Sequence, residues 1–281
     1  MSRTIALGLL ASLLLTSCSV YRAFVPKKDY DTEPPTLPAD LGSPAVMVFT
    51  KTNAFRHEEA IPAGVALIEE IAARRGWSVF HTENGASFEP ELLARFDAVV
   101  WHVTSGDVLT EGQKAAFQGW LEEGHGWVGT HAAGDGSHTW DWYRKNLIGV
   151  DYGQHPMGPQ FQEARVHVED RDHPGTAKWP ETFLHTEEWY SFTESPRAKG
   201  FRVLATVDES TYSPRIDWLW LDEDLSMGDD HPIVWTTCVG KGRAFYSALG
   251  HQAVAYQTQH LKDLIEGAIA WALGQEGPAC P

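Results

Sequence analysis

The sequence has few cysteines and few basic residues, and each shortage excludes a class of protein. Three cysteines in 281 residues cannot form a disulfide framework. In an oxidising compartment Cys238 and Cys280 could form a single disulfide, but we do not expect one. Lysine and arginine number 22 against 38 acidic residues, which gives a formal net charge of −16. Because such a chain repels phosphate backbones, we expect no nucleic-acid partner.

Several catalytic motifs are missing as well. The sequence has no Gly-x-Ser-x-Gly nucleophile elbow, no glycine-rich dinucleotide motif after its first predicted strand and no Walker phosphate loop. We therefore expect no nucleotide cofactor. The zinc-binding pattern His-Glu-x-x-His is also absent. Any metal ligands must consequently come from positions that lie far apart in the sequence.

The first 18 residues are typical of a bacterial lipoprotein signal peptide. Arg3 precedes an apolar stretch from Ile5 to Leu15, which is too short to span a bilayer as a mature helix. Leu15-Thr16-Ser17-Cys18 then resembles a lipobox, in which Cys18 is lipidated and becomes the first residue. An ordinary secretory signal is the alternative. We expect a membrane-anchored protein of the cell envelope, on the outer membrane or facing the periplasm.

The remaining chain is predicted to hold one folded domain between two extensions. Residues 19–43 carry four prolines among polar residues and predict a tether, residues 44–274 a domain, and residues 275–281 a C-terminal tail. In the domain, buried strand patterns alternate with helix patterns up to Thr130. Strands of mixed or antiparallel arrangement, a hairpin and a last helix follow. The pattern indicates an α/β fold, a flavodoxin-like doubly wound parallel sheet with an inserted mixed or antiparallel β region.

Histidines follow the predicted strands at the sheet edge where α/β proteins bind ligands. His57 comes after the first strand, His131 after the fourth and His251 after the last. Each alone is as well explained by a structural role, but their joint placement favours a site. His131 stands at the centre of Gly129-Thr130-His131-Ala132-Ala133, where an elbow needs Ser or Cys. The sequence therefore argues against acyl transfer and favours proton transfer or metal binding by an imidazole.

Glu188 supplies a carboxylate to the same set. If the segment around it is extended, Glu188 and Tyr190 share one face. A carboxylate beside imidazoles can bind a divalent metal such as zinc, orient a histidine or act as a general base. We interpret His57, His131, Glu188 and His251 as candidate catalytic residues and, equally, as candidate metal ligands.

Twelve tryptophans are many for this length. Trp101, Trp189 and Trp235 are predicted to stack on a sugar ring, with filling of the core as the alternative.

Short runs in a fixed order resemble the ThuA-like (trehalose utilisation) family over about residues 44–274. The runs include Phe55-Arg56-His57, Gly129 to Ala133, Glu188-Trp189-Tyr190 and Gly242 to His251. The resemblance implies a class I glutamine-amidotransferase-like fold. It does not imply amidotransferase activity, because His131 replaces the elbow cysteine. It does imply functional roles for His57, His131, Glu188 and His251, with Arg56 and Tyr190 in support.

The family is linked to the use of trehalose and 3-keto-sugars, and some relatives look like metal-binding proteins. We interpret the chain as an envelope enzyme that hydrolyses, eliminates from or isomerises a sugar or keto-sugar. Histidine and glutamate acid–base chemistry or a divalent metal would serve such a reaction, which needs no nucleophile. A non-catalytic carbohydrate-binding lipoprotein and an envelope structural protein with a degenerate pocket are the alternatives.

Overall fold

The computed structural model describes residues 21–135 and 139–280. The predicted signal peptide and the lipidation site Cys18 lie outside the described residues. Within the described ranges, no helix has both the length and the apolar character needed to cross a bilayer.

Thirteen strands occur in the described chain, and nine of them form one sheet. In chain order the strands are β1 Ala45–Phe49, β2 Ser78–Thr82, β3 Ala98–His102, β4 Gly126–Thr130, β5 Tyr152–Gln154, β6 Gln162–Val168, β7 Thr182–Glu187, β8 Ser191–Phe192, β9 Arg202–Asp208, β10 Arg215–Trp218, β11 Leu221–Asp224, β12 Pro232–Val239 and β13 Gly242–Ser247. The large sheet has the order β2-β1-β3-β4-β13-β12-β9-β6-β7, while β10–β11 and β5–β8 are separate pairs.

The sheet has a parallel half and an antiparallel half. Strands β2, β1, β3, β4 and β13 run parallel to one another, and every later neighbour is antiparallel. The predicted α/β, flavodoxin-like sheet with an inserted antiparallel region is confirmed. Residues 182–192 form two strands, β7 and β8, because the chain leaves the ladder at Glu188.

Helices cover both faces of the parallel half. They are α1 Ala60–Arg75, α2 Pro90–Leu93, α3 Glu111–Glu122, α4 Asp141–Tyr143 and α5 Gln259–Ala272. Helix α3 begins with a capping box, in which Thr110 and Gln113 bond reciprocally to each other's backbone N–H. Helices α1 and α5 pack together on one face, and α3 packs on the other. Both faces of β1 and β3 are therefore covered, and all their residues are buried.

Part of the segment predicted to be a tether lies against the domain. The Asn53 side chain donates hydrogen bonds to the carbonyl of Asp29, at 3.0 Å, and to that of Asp107, at 2.6 Å. Asp31 pairs with the buried Lys51 and accepts from the Gly85 N–H. Because a buried charge or amide needs a partner, these contacts fix residues 29–31 to the domain. The proline content is typical of a tether but does not reveal these partners.

A disulfide joins Cys238 to Cys280, contrary to the expectation from the sequence. The last residues fold back across the domain. Gln275 accepts from the Trp77 indole at 3.0 Å, and the Pro278 carbonyl accepts from the Trp271 indole at 2.9 Å. The two cysteines come together because of this return, which no local pattern in the sequence predicts.

All buried residues of the hydrophobic core cluster lie between Ala45 and Ala272. A chain that begins at Tyr21 therefore contains the whole core of the described domain.

Candidate active site

The four candidate site residues meet at one edge of the large sheet. His57, His131 and His251 follow the carboxyl ends of β1, β4 and β13, which are parallel. The antiparallel steps from β13 through β12, β9 and β6 bring β7 back to the same direction. Glu188, the residue after β7, consequently joins the histidines. One donor atom from each of the four residues lies within 4.8 Å of the others.

His131 occupies a strained turn between β4 and a short 3-10 helix. Its φ is 45°, in the left-handed region that residues with a Cβ rarely adopt. The Tyr246 hydroxyl donates to the His131 carbonyl at 2.9 Å. A Cβ on Gly134 would lie 2.0 Å from that same hydroxyl oxygen, so the turn requires glycine there. The backbone is thus a strand–turn–helix elbow, with an imidazole in place of a nucleophile.

The ring of His131 is oriented by the backbone. Its Nδ1–H donates to the Ala248 carbonyl at 2.8 Å. This bond directs Nε2 into the cluster, where it lies 3.1 Å from Nδ1 of His251 and 3.3 Å from Oε2 of Glu188. A carbonyl that fixes one ring nitrogen of a histidine is the usual support of a metal-binding imidazole.

Three donor atoms form a triangle of the size that a metal or a shared proton needs. His251 Nδ1 lies 2.9 Å from Glu188 Oε2, which completes the 3.1 and 3.3 Å sides formed with His131. Ligand atoms about 2.0–2.1 Å from a tetrahedral zinc ion lie about 3.3 Å apart. Three imidazoles and one carboxylate are also a donor set that suits zinc and related divalent ions. The residues present therefore fit a divalent metal.

His57 lies beside the triangle. Its ring centroid is 4.8 Å from that of His131 and 4.6 Å from that of His251. Its Nδ1 is buried and has no hydrogen-bond partner among the described residues. Burial, reinforced by the positive charge of His131 and His251, holds the pKa of His57 well below its usual value. A neutral imidazole with an unpaired buried nitrogen is suited to bind a metal.

Glu188 carries the negative charge of the cluster. Burial by itself raises the pKa of Glu188, but hydrogen bonds from His131 and His251 outweigh it and hold that pKa well below its usual value. The same pairing has the reverse effect on His131, because the hydrogen bond and charge of Glu188 outweigh burial and raise the pKa of His131. Without a metal, the pair therefore favours the charged form of each partner, the imidazolium of His131 and the carboxylate of Glu188.

Glu187 supports the cluster from behind. Its carboxylate accepts from the backbone N–H groups of Gly250, at 2.7 Å, and His251, at 3.2 Å. Gly250 has a φ of 114° and would clash with Tyr256 if it had a side chain. Glu187 therefore holds the turn that presents His251, whereas Glu188 contacts the His251 ring.

Three members of the cluster, His57, Glu188 and His251, line a pocket of about 320 Å³, while His131 is fully buried. Aromatic, amide and acidic side chains surround it, together with two residues of the N-terminal segment. The lining residues are Ala23, Phe24, Phe55, His57, Asp135, Tyr152, Gln154, His155, Gln160, Glu188, Tyr190 and His251.

The other candidate binding residues do not all reach this pocket. Tyr190 does, with its ring centroid 4.3 Å from that of His131. Arg56 points instead to Glu58 and Glu83, with which it forms ion pairs at 3.1 and 2.8 Å. It lines a different cavity, among residues of the N-terminal segment.

The tryptophans predicted to stack on a sugar are buried in the core. Trp101 packs against Phe117 and Tyr143. Trp189 and Trp235 donate their indole N–H groups to backbone carbonyls. All three are at most 1% exposed, so no ring face is left for a ligand. The alternative interpretation of these residues, filling of the core, is the one that fits the structure.

Two residues next to Glu188 could not be identified from the sequence. His155 Nδ1 lies 3.3 Å from Glu188 Oε1, and the Gln160 side chain donates to the same oxygen. Both belong to the irregular segment between β5 and β6, where no periodicity indicates direction. His155 is one histidine among 13, and the sequence predicts no strand before it, because β5 has only three residues.

The geometry defines a glutamine-amidotransferase-like domain in which an imidazole–carboxylate cluster occupies the place of the nucleophile. The ThuA family, described as trehalose utilisation, matches residues 45–272. The chain therefore belongs to the ThuA family. A comparison with curated proteins gives no match.

Solved structures with a similar fold include other ThuA-like proteins. One from Bacteroides uniformis ATCC 8492 is 24% identical, with a TM-score of 0.69 over 85% of this chain and 95% of its own. Another, from Parabacteroides merdae ATCC 43184, is 18% identical, with a TM-score of 0.59 over 84% and 92%. PurLQS from Thermotoga maritima is 11% identical, with a TM-score of 0.50 over 81% and 98%. At these identities the likeness concerns the fold alone.

Proposed function

We propose that this ThuA-family protein is an envelope lipoprotein enzyme that acts on a sugar or keto-sugar with the help of a divalent metal. The observation that carries the proposal is the buried set of three imidazoles and one carboxylate, all within 4.8 Å. His57, His131, Glu188 and His251 would hold the metal. When bound, it would polarise a substrate carbonyl or lower the pKa of a water molecule.

The residues of the pocket support proton transfer over acyl transfer. Neither serine nor cysteine is among the described lining residues, and the elbow position holds His131. In the metal-free cluster, the Glu188 carboxylate and the histidines beside it can take a proton from a carbon or hydroxyl next to a carbonyl and return it. With a metal held by the four residues, His155 beside Glu188 would be the imidazole left for that role. Hydrolysis, elimination and isomerisation of a keto-sugar all require such a proton transfer.

Polar groups on the pocket wall suit a sugar. Gln154 and Gln160 offer amide donors and acceptors, and Asp135 an acidic acceptor. Tyr152 and Tyr190, whose ring centroids lie 4.5 Å apart, supply apolar surface beside them. This combination is typical of a site that orients hydroxyl groups.

The disulfide supports a location in the envelope. Disulfides persist in oxidising compartments and are rare in the cytosol. The bridge between Cys238 and Cys280 agrees with the lipobox that ends at Cys18. Lipidation of Cys18 is tested directly by the mass of the N-terminal peptide of the membrane-extracted protein.

The experiment that tests the function compares metal content and turnover in three forms of the chain from Tyr21 onward. Wild type is expected to purify with about one equivalent of a divalent metal and to convert a plain or oxidised disaccharide. His131→Ala is expected to lose both. His167→Ala is the control, because it removes a half-exposed histidine that pairs with Asp208 outside the cluster.

Turnover by His131→Ala at the wild-type rate would contradict the proposal. Sugar binding without turnover, unchanged when His57, His131 and Glu188 are replaced, would favour a carbohydrate-binding protein instead.

A further inference from the structure

One exposed apolar segment lines the pocket of the candidate site, and a second lies at the tip of a hairpin that is bonded to a pocket loop. The first is residues 21–25, in which Phe24 is 82% exposed and lines the pocket. The second is residues 218–221, the turn of the β10–β11 hairpin, in which Trp220 is 84% exposed. Seven of the ten large exposed hydrophobic residues in the described chain belong to these two segments. Clustering of this kind marks an interaction surface rather than ordinary surface composition.

The hairpin is hydrogen-bonded to the loop that carries two pocket residues, His155 and Gln160. Met157 donates to the Arg215 carbonyl at 3.2 Å and accepts from the Asp217 N–H at 2.8 Å. Met157 lies between His155 and Gln160, both of which line the pocket and contact Glu188. The apolar turn is therefore attached directly to the loop that encloses the site.

The residues of the hairpin turn destabilise the protein when nothing covers them. Leu219 has a φ of 58°, a conformation that favours glycine or asparagine over leucine. Two-residue hairpin turns usually carry such residues, yet here Leu219 and Trp220 are exposed at the tip. Strain combined with exposed apolar area is typical of a segment that a partner covers.

The distance from the N-terminal segment to the lipidation site identifies the partner. Cys18 lies three residues before Tyr21, so its Cα is at most about 11 Å from that of Tyr21. Asp29 and Asp31 are bonded to the domain, and no long flexible spacer separates the anchor from the pocket. A lipid on Cys18 would consequently hold the bilayer surface close to Phe24. This step rests on the proposed lipid anchor.

We propose that residues 21–25 and 218–221 together form a membrane-contacting surface, here called the apolar rim, that seats the pocket mouth against lipid headgroups. Tryptophan and phenylalanine side chains suit the headgroup region, and leucine suits the acyl boundary. Asp217, Asp222, Glu223 and Asp224 flank the hairpin tip. These carboxylates exclude a mechanism based on anionic lipids, so the rim binds a neutral or zwitterionic surface.

The test uses the unlipidated chain from Tyr21 onward, which retains the whole core, and sedimentation with phosphatidylcholine vesicles. The informative variant is Leu219→Gly combined with Trp220→Asn, because glycine suits the positive φ and the pair is typical of hairpin turns. This variant is expected to fold at least as well as wild type and to bind the vesicles at least tenfold more weakly. Leu184→Ser is the control, since Leu184 is a similarly exposed residue outside the rim and its loss is expected to change nothing.

Failure of the wild-type chain to bind phosphatidylcholine vesicles would overturn the inference, as would equal binding by the double variant. Binding that requires phosphatidylglycerol would overturn it too. Retention on an immobilised oligosaccharide, lost in the double variant without any vesicle binding, would identify the hairpin as a carbohydrate platform instead. Metal content, turnover and the mass of the Cys18 peptide are measured separately, so failure of the proposed function is distinguishable from failure of the rim.

Discussion

Glu187 and Glu188 are adjacent in the chain, yet their carboxylates reach different parts of the same loop. Glu187 accepts from the backbone N–H groups of Gly250 and His251, and Glu188 contacts the His251 ring at 2.9 Å. One residue shapes the loop and the next completes the donor set. The chain leaves the β7 ladder between them, and this departure permits both contacts.

This difference predicts different defects for two equally conservative substitutions. Glu188→Gln is expected to abolish metal binding and also to lower the free energy of unfolding of the metal-free protein, because His131 loses the carboxylate that raises its pKa. Glu187→Gln is expected to lower that free energy by about 1.5–3 kcal/mol, because the charged acceptor of three backbone N–H groups, those of Glu188, Gly250 and His251, is lost. It should also weaken metal binding about 10- to 100-fold. Metal titration and urea unfolding of both variants check this, and identical profiles would contradict it.

The strained elbow predicts that glycine is a better replacement for His131 than alanine. Both substitutions remove the imidazole and should eliminate metal binding. Only glycine adopts a φ of 45° without steric cost. His131→Gly is therefore expected to be about 1–2 kcal/mol more stable than His131→Ala. Denaturant unfolding of the two metal-free variants measures the difference, and a more stable alanine variant would show that the backbone relaxes.

His173 predicts a loss of stability in acid. Burial lowers the pKa of His173 to about 3, and its Nδ1 accepts from the Gly175 N–H at 3.1 Å. Between pH of about 6.5, the unfolded value, and about 3, the unfolded chain binds the extra proton. The free energy of unfolding should consequently fall as the pH drops, by up to about 1.4 kcal/mol per pH unit.

The matched variant for this effect is His173→Asn, which keeps an acceptor for the Gly175 N–H but does not titrate. Plotted against pH, the free energy of unfolding of the wild type is expected to fall more steeply than that of the variant below pH of about 6. Above pH of about 7 the two curves are expected to run parallel. Parallel curves throughout would mean that His173 has the same pKa in the folded protein as in the unfolded chain, which would contradict the prediction.

The disulfide predicts a measurable contribution from the C-terminal tail. The bridge closes a loop with a sequence separation of 42 residues, for which chain entropy gives about 4 kcal/mol. Cys280→Ser and the double Cys238→Ser/Cys280→Ser variant are expected to lose the same stability, because both lack the bridge. Thermal unfolding with and without reductant checks this. A reductant effect that persists in the double variant would point to another cause.

The sequence predicts which histidines form the site, but it does not predict the residues that surround them. His57, His131 and His251 follow strands of a parallel sheet, and such strands end at a common edge. Alternation along an extended segment separates Glu188 from Glu187, but the chain leaves the strand between them and both carboxylates reach the loop of His251. His155 and Gln160 belong to an irregular stretch, and only the three-dimensional path of the chain brings them to Glu188.

The predictions for tryptophan failed for a physical reason. Trp101 and Trp235 lie on β3 and β12, where the sheet is covered by other elements. A tryptophan in an apolar strand has the same sequence signature whether its ring faces a ligand or the core. The Cys238–Cys280 bridge was missed similarly, because it depends on the return of the tail across the domain.

The four donor residues come from both halves of the sheet. Retention of a metal by the protein would therefore show that both halves have folded. His57 and His251 stand near opposite ends of the domain's sequence, and Glu188 comes from the antiparallel half. A partly folded chain cannot bring the four donors together, so a metal held by them would bind only the finished domain and would stabilise it by mass action. Under the proposed metal site and envelope location, metal supply there would determine how much of the folded chain persists.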